Sequence, residues 1–146
     1  MSNPTPIMGT SDEAALLITP LDTEAVAEGV WVKYYSMQFK VRRTTDAEYK
    51  SKLLRVSDEF QKQRDNGADL GELEKSFAPR FSRLIANHIL VDWKGKNARG
   101  QDIPTFSKEL AYKMLMADQD LRMFLRDYAD EKKNFFEGEV QKSLGE

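Results

Sequence analysis

Gly29-Val-Trp-Val-Lys-Tyr-Tyr-Ser-Met-Gln-Phe-Lys-Val-Arg-Arg43 is the stretch on which the fold turns. Aromatic and β-branched residues dominate it, and they recur with a period of two. Val30, Val32 and Tyr34 fall on one face of a first run, and Phe39 and Val41 on one face of a second. Tyr35-Ser36-Met37-Gln38 lies between them as a turn, without the Asn-Gly or glycine-rich signal of the commonest hairpins. The pattern predicts a β-hairpin over residues 29–43. A lone hairpin is marginal in water, so this one must pack on the rest of the chain.

Beyond Arg43 the periodicity becomes helical. Thr45-Asp46-Ala47-Glu48 has capping-box spacing, a hydroxyl three residues before a carboxylate. Tyr49, Leu53, Val56 and Phe60 then trace one apolar stripe, with Lys50, Lys52, Asp58, Lys62 and Arg64 opposite, and Asn66-Gly67 ends the helix. A second helix is expected from about Asp69 to Asp92 on Leu70, Leu73, Phe77, Phe81, Leu84, Ile85 and Ile89. Pro79 inside it predicts a kink or a restart, because proline removes a donor and crowds the preceding turn. Residues 93–106, with Gly95, Gly100 and Pro104, read as a loop. Ser107 is a fitting N-cap for a short helix to about Met116 with Leu110, Ala111, Met114 and Leu115 inward. Asp118 or Asp120 opens a last helix whose stripe is Leu121, Phe124, Leu125, Tyr128, Lys132, Phe135 and Phe136, fading near Val140.

Upstream of the hairpin, residues 1–13 hold two prolines and many small polar residues and read as a disordered tail. Leu16, Leu17, Ile18 and Leu21 form a short apolar patch, read as packing on the domain in preference to a docking segment. The expected fold class is therefore α+β, mainly α. An N-terminal β-hairpin is followed by four or five helices in a single compact domain spanning residues 14–146.

Composition narrows the function by exclusion. Twenty-two basic and 24 acidic residues in a chain of 146 leave a net charge of -2, without the basic excess usual in nucleic-acid binders. Cysteine is absent, which removes disulfides, thiol catalysis, iron–sulfur clusters and cysteine zinc sites. The single histidine, His88, leaves little room for a histidine metal site or a Ser-His-Asp triad. No apolar run approaches the roughly 18 residues that span a bilayer, and no basic segment followed by an apolar one marks a secretory signal near the start. These features lead us to expect a soluble, non-enzymatic protein with no cofactor, no metal and no membrane partner.

The remaining constellations each have a plain structural reading. His88 sits on an apolar helix face four residues after Leu84, where a satisfied, partly buried histidine is the better account. Asp127, Asp130 and Glu131, with Glu137 and Glu139, alternate with Arg126, Lys132 and Lys133 as on a solvated helix face. Lys94, Lys96 and Arg99 in the glycine-containing loop lack Walker spacing. Met114, Met116 and Met123 fit gap-filling in a core better than an adaptable binding surface. The aromatics are more balanced between core and contact. Trp31, Tyr34, Tyr35 and Phe39 crowd one hairpin, and one face of it is enough for core packing. Phe135 and Phe136 point about 100° apart if helical, so one suits the core and the other a contact. Trp31, Tyr35, Phe39, Trp93 and Phe136 are the candidate partner-binding residues.

In order along the chain, these residues resemble the tail assembly chaperones of long-tailed, siphovirus-like bacteriophages. Gly29-Val-Trp-Val-Lys-Tyr34 followed by Phe39-Lys-Val-Arg-Arg43 looks like that family's opening hairpin, and Tyr49 with Leu53 and Leu54 its first helix. The most specific block is Ile89-Leu-Val-Asp-Trp-Lys-Gly95, a short glycine-containing loop, then Ile103-Pro-Thr-Phe-Ser-Lys-Glu-Leu-Ala111. The helix from Leu121 to Phe136, with Asp130 and Asn134-Phe135 near its end, continues the likeness over about residues 29–137. In this block Trp93 would anchor the loop, Pro104 would end it and Ser107 would cap the next helix.

The resemblance implies a non-catalytic protein that binds the tape measure protein, keeps it soluble and recruits tail tube protein. It also implies self-association or a longer frameshifted form, action in the host cytoplasm and absence from the mature virion. The alternatives are a structural tail or head-completion protein retained in the particle, and a small phage regulator of a host protein.

Overall fold

The computed structural model describes residues 12–138. The tail expected over residues 1–13 lies outside them, apart from Asp12 and Glu13, which open a short helix α1 (Asp12–Ala15). Val140 and Glu139 lie outside as well. Helix α2 (Thr23–Glu28) is capped by Asp22, whose side chain accepts from the Ala25 backbone N–H at 3.0 Å. The hairpin comes next as β1 (Val30–Tyr34) and β2 (Met37–Val41). It leads into α3 (Ala47–Asp65), α4 (Leu70–His88), β3 (Leu90–Gly95), α5 (Lys108–Ala117), α6 (Gln119–Asp130) and a 3-10 turn (Lys132–Phe135). The class is α+β and mainly α, with a small antiparallel sheet under four substantial helices.

Tyr34 pairs with Met37, so the hairpin loop has only two residues, Tyr35 and Ser36. The turn is tighter than the four residues expected from the sequence. Tyr35 takes a φ of 55°, the only positive φ at a non-glycine residue among those described. That conformation brings Cβ close to the following carbonyl, so glycine normally supplies it. An aromatic at this position is unusual, and the absence of a glycine signal is why sequence reading misplaces the turn.

The largest departure from expectation is β3. The sequence pattern carries the second helix through Asp92 and opens a loop at Trp93, yet α4 stops at His88 and Leu90–Gly95 pairs antiparallel with β2. The sheet order is β1-β2-β3, with a register shift between Lys40 and Val41 in the pairing of β2 with β3. Ile89, Leu90 and Val91 suit a buried strand as well as a helix, and periodicity alone cannot separate the two. What decides is the unpaired edge of β2, which needs a partner. Gly95 sits opposite Met37 with a φ of 106°, and a Cβ there would come within 2.9 Å of the Ser36 carbonyl oxygen. Only glycine fits that end of the strand.

The inward face of the sheet carries Val30, Phe39, Val41, Leu90 and Trp93, all buried. Helices α3 to α6 cover it with Tyr49, Val56, Leu73, Phe77, Leu84, Ile85, Ala111, Leu115, Leu121 and Leu125, in one continuous core. A smaller cluster of Ala25, Val30 and Phe135, with Leu21, Val26 and Tyr128 against it, ties α2 to the 3-10 turn. Leu21 packs as the sequence suggests, but Leu16 and Leu17 are 87% and 88% exposed, so the patch preceding α2 does not pack as a whole.

Local signals place the helices with small corrections. The N-cap of α3 is Asp46, accepting from the Glu48 N–H at 3.1 Å, so the helix begins one residue later than a Thr45 capping box requires. Asp69, Ser107 and Asp118 cap α4, α5 and α6 with their side chains. Pro79 does not divide α4, which runs through it as one helix. Helix α6 ends at Asp130, and Glu131 turns extended, so Lys132 to Phe136 do not continue its stripe. Phe135 is fully buried and Phe136 half-buried, where it bridges to Leu21.

Relief of the turn strain gives a direct test. Tyr35→Gly is expected to raise stability by up to about 1 kcal/mol, the gain in φ being partly offset by the flexibility of glycine in the unfolded chain. Urea unfolding measures it, and a loss of stability would mean that Tyr35 contributes through its edge-on contact with Tyr34, at 4.7 Å between ring centroids.

Candidate docking surface

The five aromatic candidates separate by position. Phe39 is fully buried and Trp93 8% exposed, both in the core. Trp93 lies opposite Phe39 in the sheet, meets Phe106 edge-on at 5.0 Å, and donates from Nε1 to the Pro104 carbonyl at 2.7 Å. Their side chains are occupied in holding the fold. Trp31 lies on the outer face of the sheet with Lys33, Gln38, Lys40, Asp92 and Lys94, as the strand register dictates. The Lys94 ammonium sits 4.1 Å from the Trp31 ring centroid and shields that face. Tyr35 is 82% exposed at the hairpin tip. The structure does not bring Trp31, Tyr35 and Phe136 together with Phe39 and Trp93 on one surface.

The basic loop is also internally engaged. Lys96 pairs with Asp102 at 3.3 Å, and the Asn97 side chain accepts from the backbone N–H groups of Arg99 and Gln101 at 2.9 and 3.0 Å. Asp130 accepts from the Thr44 hydroxyl and Asp127 pairs with Arg126, in keeping with a solvated helix face.

Helix α4 borders two concavities. One, of about 240 Å³, lies among α3, α4 and α6 and is lined by Phe60, Ala78, Phe81, Ile85 and Met123, with Glu74, Gln119, Arg122 and Arg126 around them. The buried part of Arg122 fixes one wall: its Nη1 donates to the Leu115 carbonyl at 2.8 Å and the buried Ser82 hydroxyl at 3.3 Å. Burial pulls the Arg122 guanidinium below its usual pKa, with the Arg126 charge acting the same way. Phe60 meets Phe77 and Phe81 at 5.4 and 6.4 Å, so the opposite wall is aromatic. Met123, 43% exposed, overhangs it. The methionines thus divide between roles, Met114 against the core and Met116 and Met123 outward.

The second concavity, about 400 Å³, lies between α3 and α4. Lys52, Arg55, Val56, Pro79, Arg80, Arg83, Leu84, Asn87 and His88 line it. Sequence reading passes over it because its cations are split between two helices and look like ordinary polar-face residues. Part of the signal is local, as Lys52 and Arg55 stand three apart on α3 and Arg80, Arg83 and Asn87 at helical spacing on α4.

At the end of this groove His88 packs on Tyr49 at 5.9 Å between ring centroids and places Nδ1 3.3 Å from Asp46 Oδ2. This is the satisfied, partly buried histidine expected. Asp46, Glu48 and His88 bring donor atoms within 4.8 Å of one another, an arrangement that suits a divalent cation by distance. Each is already engaged, however: Asp46 with the α3 N-terminus and His88, and Glu48 with Lys52 at 2.8 Å.

The Asp46 carboxyl is held below the usual carboxylate range, first by the Glu48 backbone N–H and further by the His88 imidazole. A depressed pKa contributes stability that is present above the unfolded value and lost as pH falls through the folded one. Asp46→Asn keeps the cap but cannot titrate, so its stability is expected to fall less steeply than wild type below about pH 4. Tyr49 behaves oppositely. Burial, with the Asp130 charge second, pushes its hydroxyl up to about 12. The fold favours the neutral phenol, so stability is full below about pH 10 and falls by roughly 2 kcal/mol as pH rises toward 12. Tyr49→Phe is expected to remove that alkaline loss in unfolding curves taken across the range.

The model of the YdaY prophage protein family matches residues 44–146, from the approach to α3 onward, leaving the hairpin outside the match. No curated protein and no solved structure matches the chain. The match takes in α3 to the 3-10 turn and both concavities beside α4, well over half of the chain, and so this protein of phage origin belongs to the YdaY prophage protein family.

Proposed function

We propose that this prophage protein is a tail assembly chaperone that binds the tape measure protein, keeps it soluble and recruits tail tube subunits in the host cytoplasm. The observation that carries the reading is the aromatic cleft of about 240 Å³ among α3, α4 and α6. A tape measure chain is long and helical and exposes apolar stripes until its partners surround it. An apolar cleft with a polar rim is the surface on which such a stripe docks, one or two side chains at a time. The phage origin of the family and the engagement of Trp93 with Pro104 and of Ser107 with α5 are consistent with it. The function proposed is binding, without catalysis and without a cofactor.

The test is co-expression of the tagged protein with the genes downstream of its own, together with a search for it in purified particles. Tape measure protein in the eluate and no signal in particles is the expected result. Met123→Glu places a charge over the cleft at an exposed position and is expected to lower tape measure recovery about tenfold while leaving the fold intact, since charge in an apolar contact is costly. Stoichiometric copies in the particle without tape measure binding would instead make it a structural tail or head-completion protein. Recovery of a host protein alone would make it a regulator.

A further inference from the structure

We infer that the groove between α3 and α4 is a second docking site, for an acidic amphipathic helix of a protein partner. The site stands apart from the aromatic cleft and does not depend on the tape measure reading. Four cations, Lys52, Arg55, Arg80 and Arg83, line the groove, and no carboxylate does. With Glu48, Glu59 and Glu109 beside three of them, the region still keeps a positive excess in a chain whose net charge is -2. The floor is apolar, formed by Val56, Pro79 and Leu84. Acidic side chains flanking an apolar helix stripe complement this arrangement of floor and rim.

The cations are held ready. Arg83 makes a two-pronged contact with Glu109, at 2.9 and 3.3 Å, and its guanidinium stacks 3.8 Å from the Tyr112 ring centroid. Arg80 is paired with Glu59, and Lys52 with Glu48 at 2.8 Å. These carboxylates lie outside the groove lining. Exposed pairs of this kind are weak, so an incoming carboxylate can share or replace them at small cost. Arg55 is exposed and makes no ion pair within 4 Å among the described residues, its charge acting on Glu59 only at longer range, so its guanidinium can take a closer carboxylate. A nucleic acid is the poorer fit. It would call for a broad basic stripe, whereas the floor here is apolar and the chain carries no basic excess.

The experiment uses the full ¹⁵N-labelled chain and a fluorescein-labelled amphipathic peptide of about 20 residues, long enough to form helix, with leucine at helical spacing and glutamate on the flanks. Amide shifts are expected at residues 52–56 and 80–88, and affinity is expected to fall with salt. Arg55→Glu reverses a charge at an exposed position and is expected to weaken binding at least fivefold, as is Asn87→Asp, while Arg55→Lys stays within about twofold. Replacing the peptide glutamates by glutamine is expected to weaken it by a similar factor. Shifts confined to other surfaces, equal binding of the glutamine peptide, or unchanged binding by both charge variants would overturn the proposal. Stronger shifts at the same residues with a single-stranded oligonucleotide would overturn it in favour of nucleic acid.

Discussion

Trp93 is the contact through which sheet and helices hold one another. It lies on the edge strand β3 opposite Phe39 of the central strand β2, and its indole reaches across to the Pro104 carbonyl and Phe106. With the Lys96–Asp102 bridge it closes the loop between β3 and α5, and Ser107 caps α5. Helix α5 in turn supplies Ala111 and Leu115 to the core and Glu109 to the ion pair with Arg83. A buried indole must place its N–H on an acceptor, and Pro104 meets that demand. Without it the strand, the loop and the helix would have no common anchor.

The same constraint organises the surface. With the sheet beneath and α5 fixed against α4, helix α4 carries two differently dressed flanks. One faces α6 and is aromatic, with Arg122 pinned between Ser82 and the end of α5. The other faces α3 and is basic over an apolar floor. Pro79, which has no N–H to give the helix, lies in the second flank, where its ring extends the apolar floor. Helix α4 thus presents two surfaces of opposite character on its two flanks.

The five candidate aromatics illustrate how far a sequence can be read. Trp31, Tyr35, Phe39, Trp93 and Phe136 stand out by type, yet type does not say which way a side chain points. Phe39 and Trp93 turn into the core, Lys94 covers Trp31, and Tyr35 remains at an exposed turn with an unfavourable φ. The cationic groove shows the converse. None of Lys52, Arg55, Arg80 or Arg83 is conspicuous alone, and only the antiparallel packing of α3 on α4 brings them together.

By itself the chain determined its class, its hairpin and the starts of α4, α5 and α6, while α1 and α2 went unread in what the sequence shows only as a short apolar patch. Alternation of Val30, Val32 and Tyr34, the stripes of α3 and α4, and the caps at Asp69, Ser107 and Asp118 are local properties, set by side-chain chemistry within a few residues. Tertiary structure alone decided β3, because Leu90 to Gly95 is strand only in the presence of the open edge of β2. It also decided the early end of α6, where Phe135 leaves the helix to fill the cluster with Ala25 and Val30. Both are long-range choices: hydrogen bonds and buried area offered by distant residues outweigh a local preference of less than about 1 kcal/mol per residue.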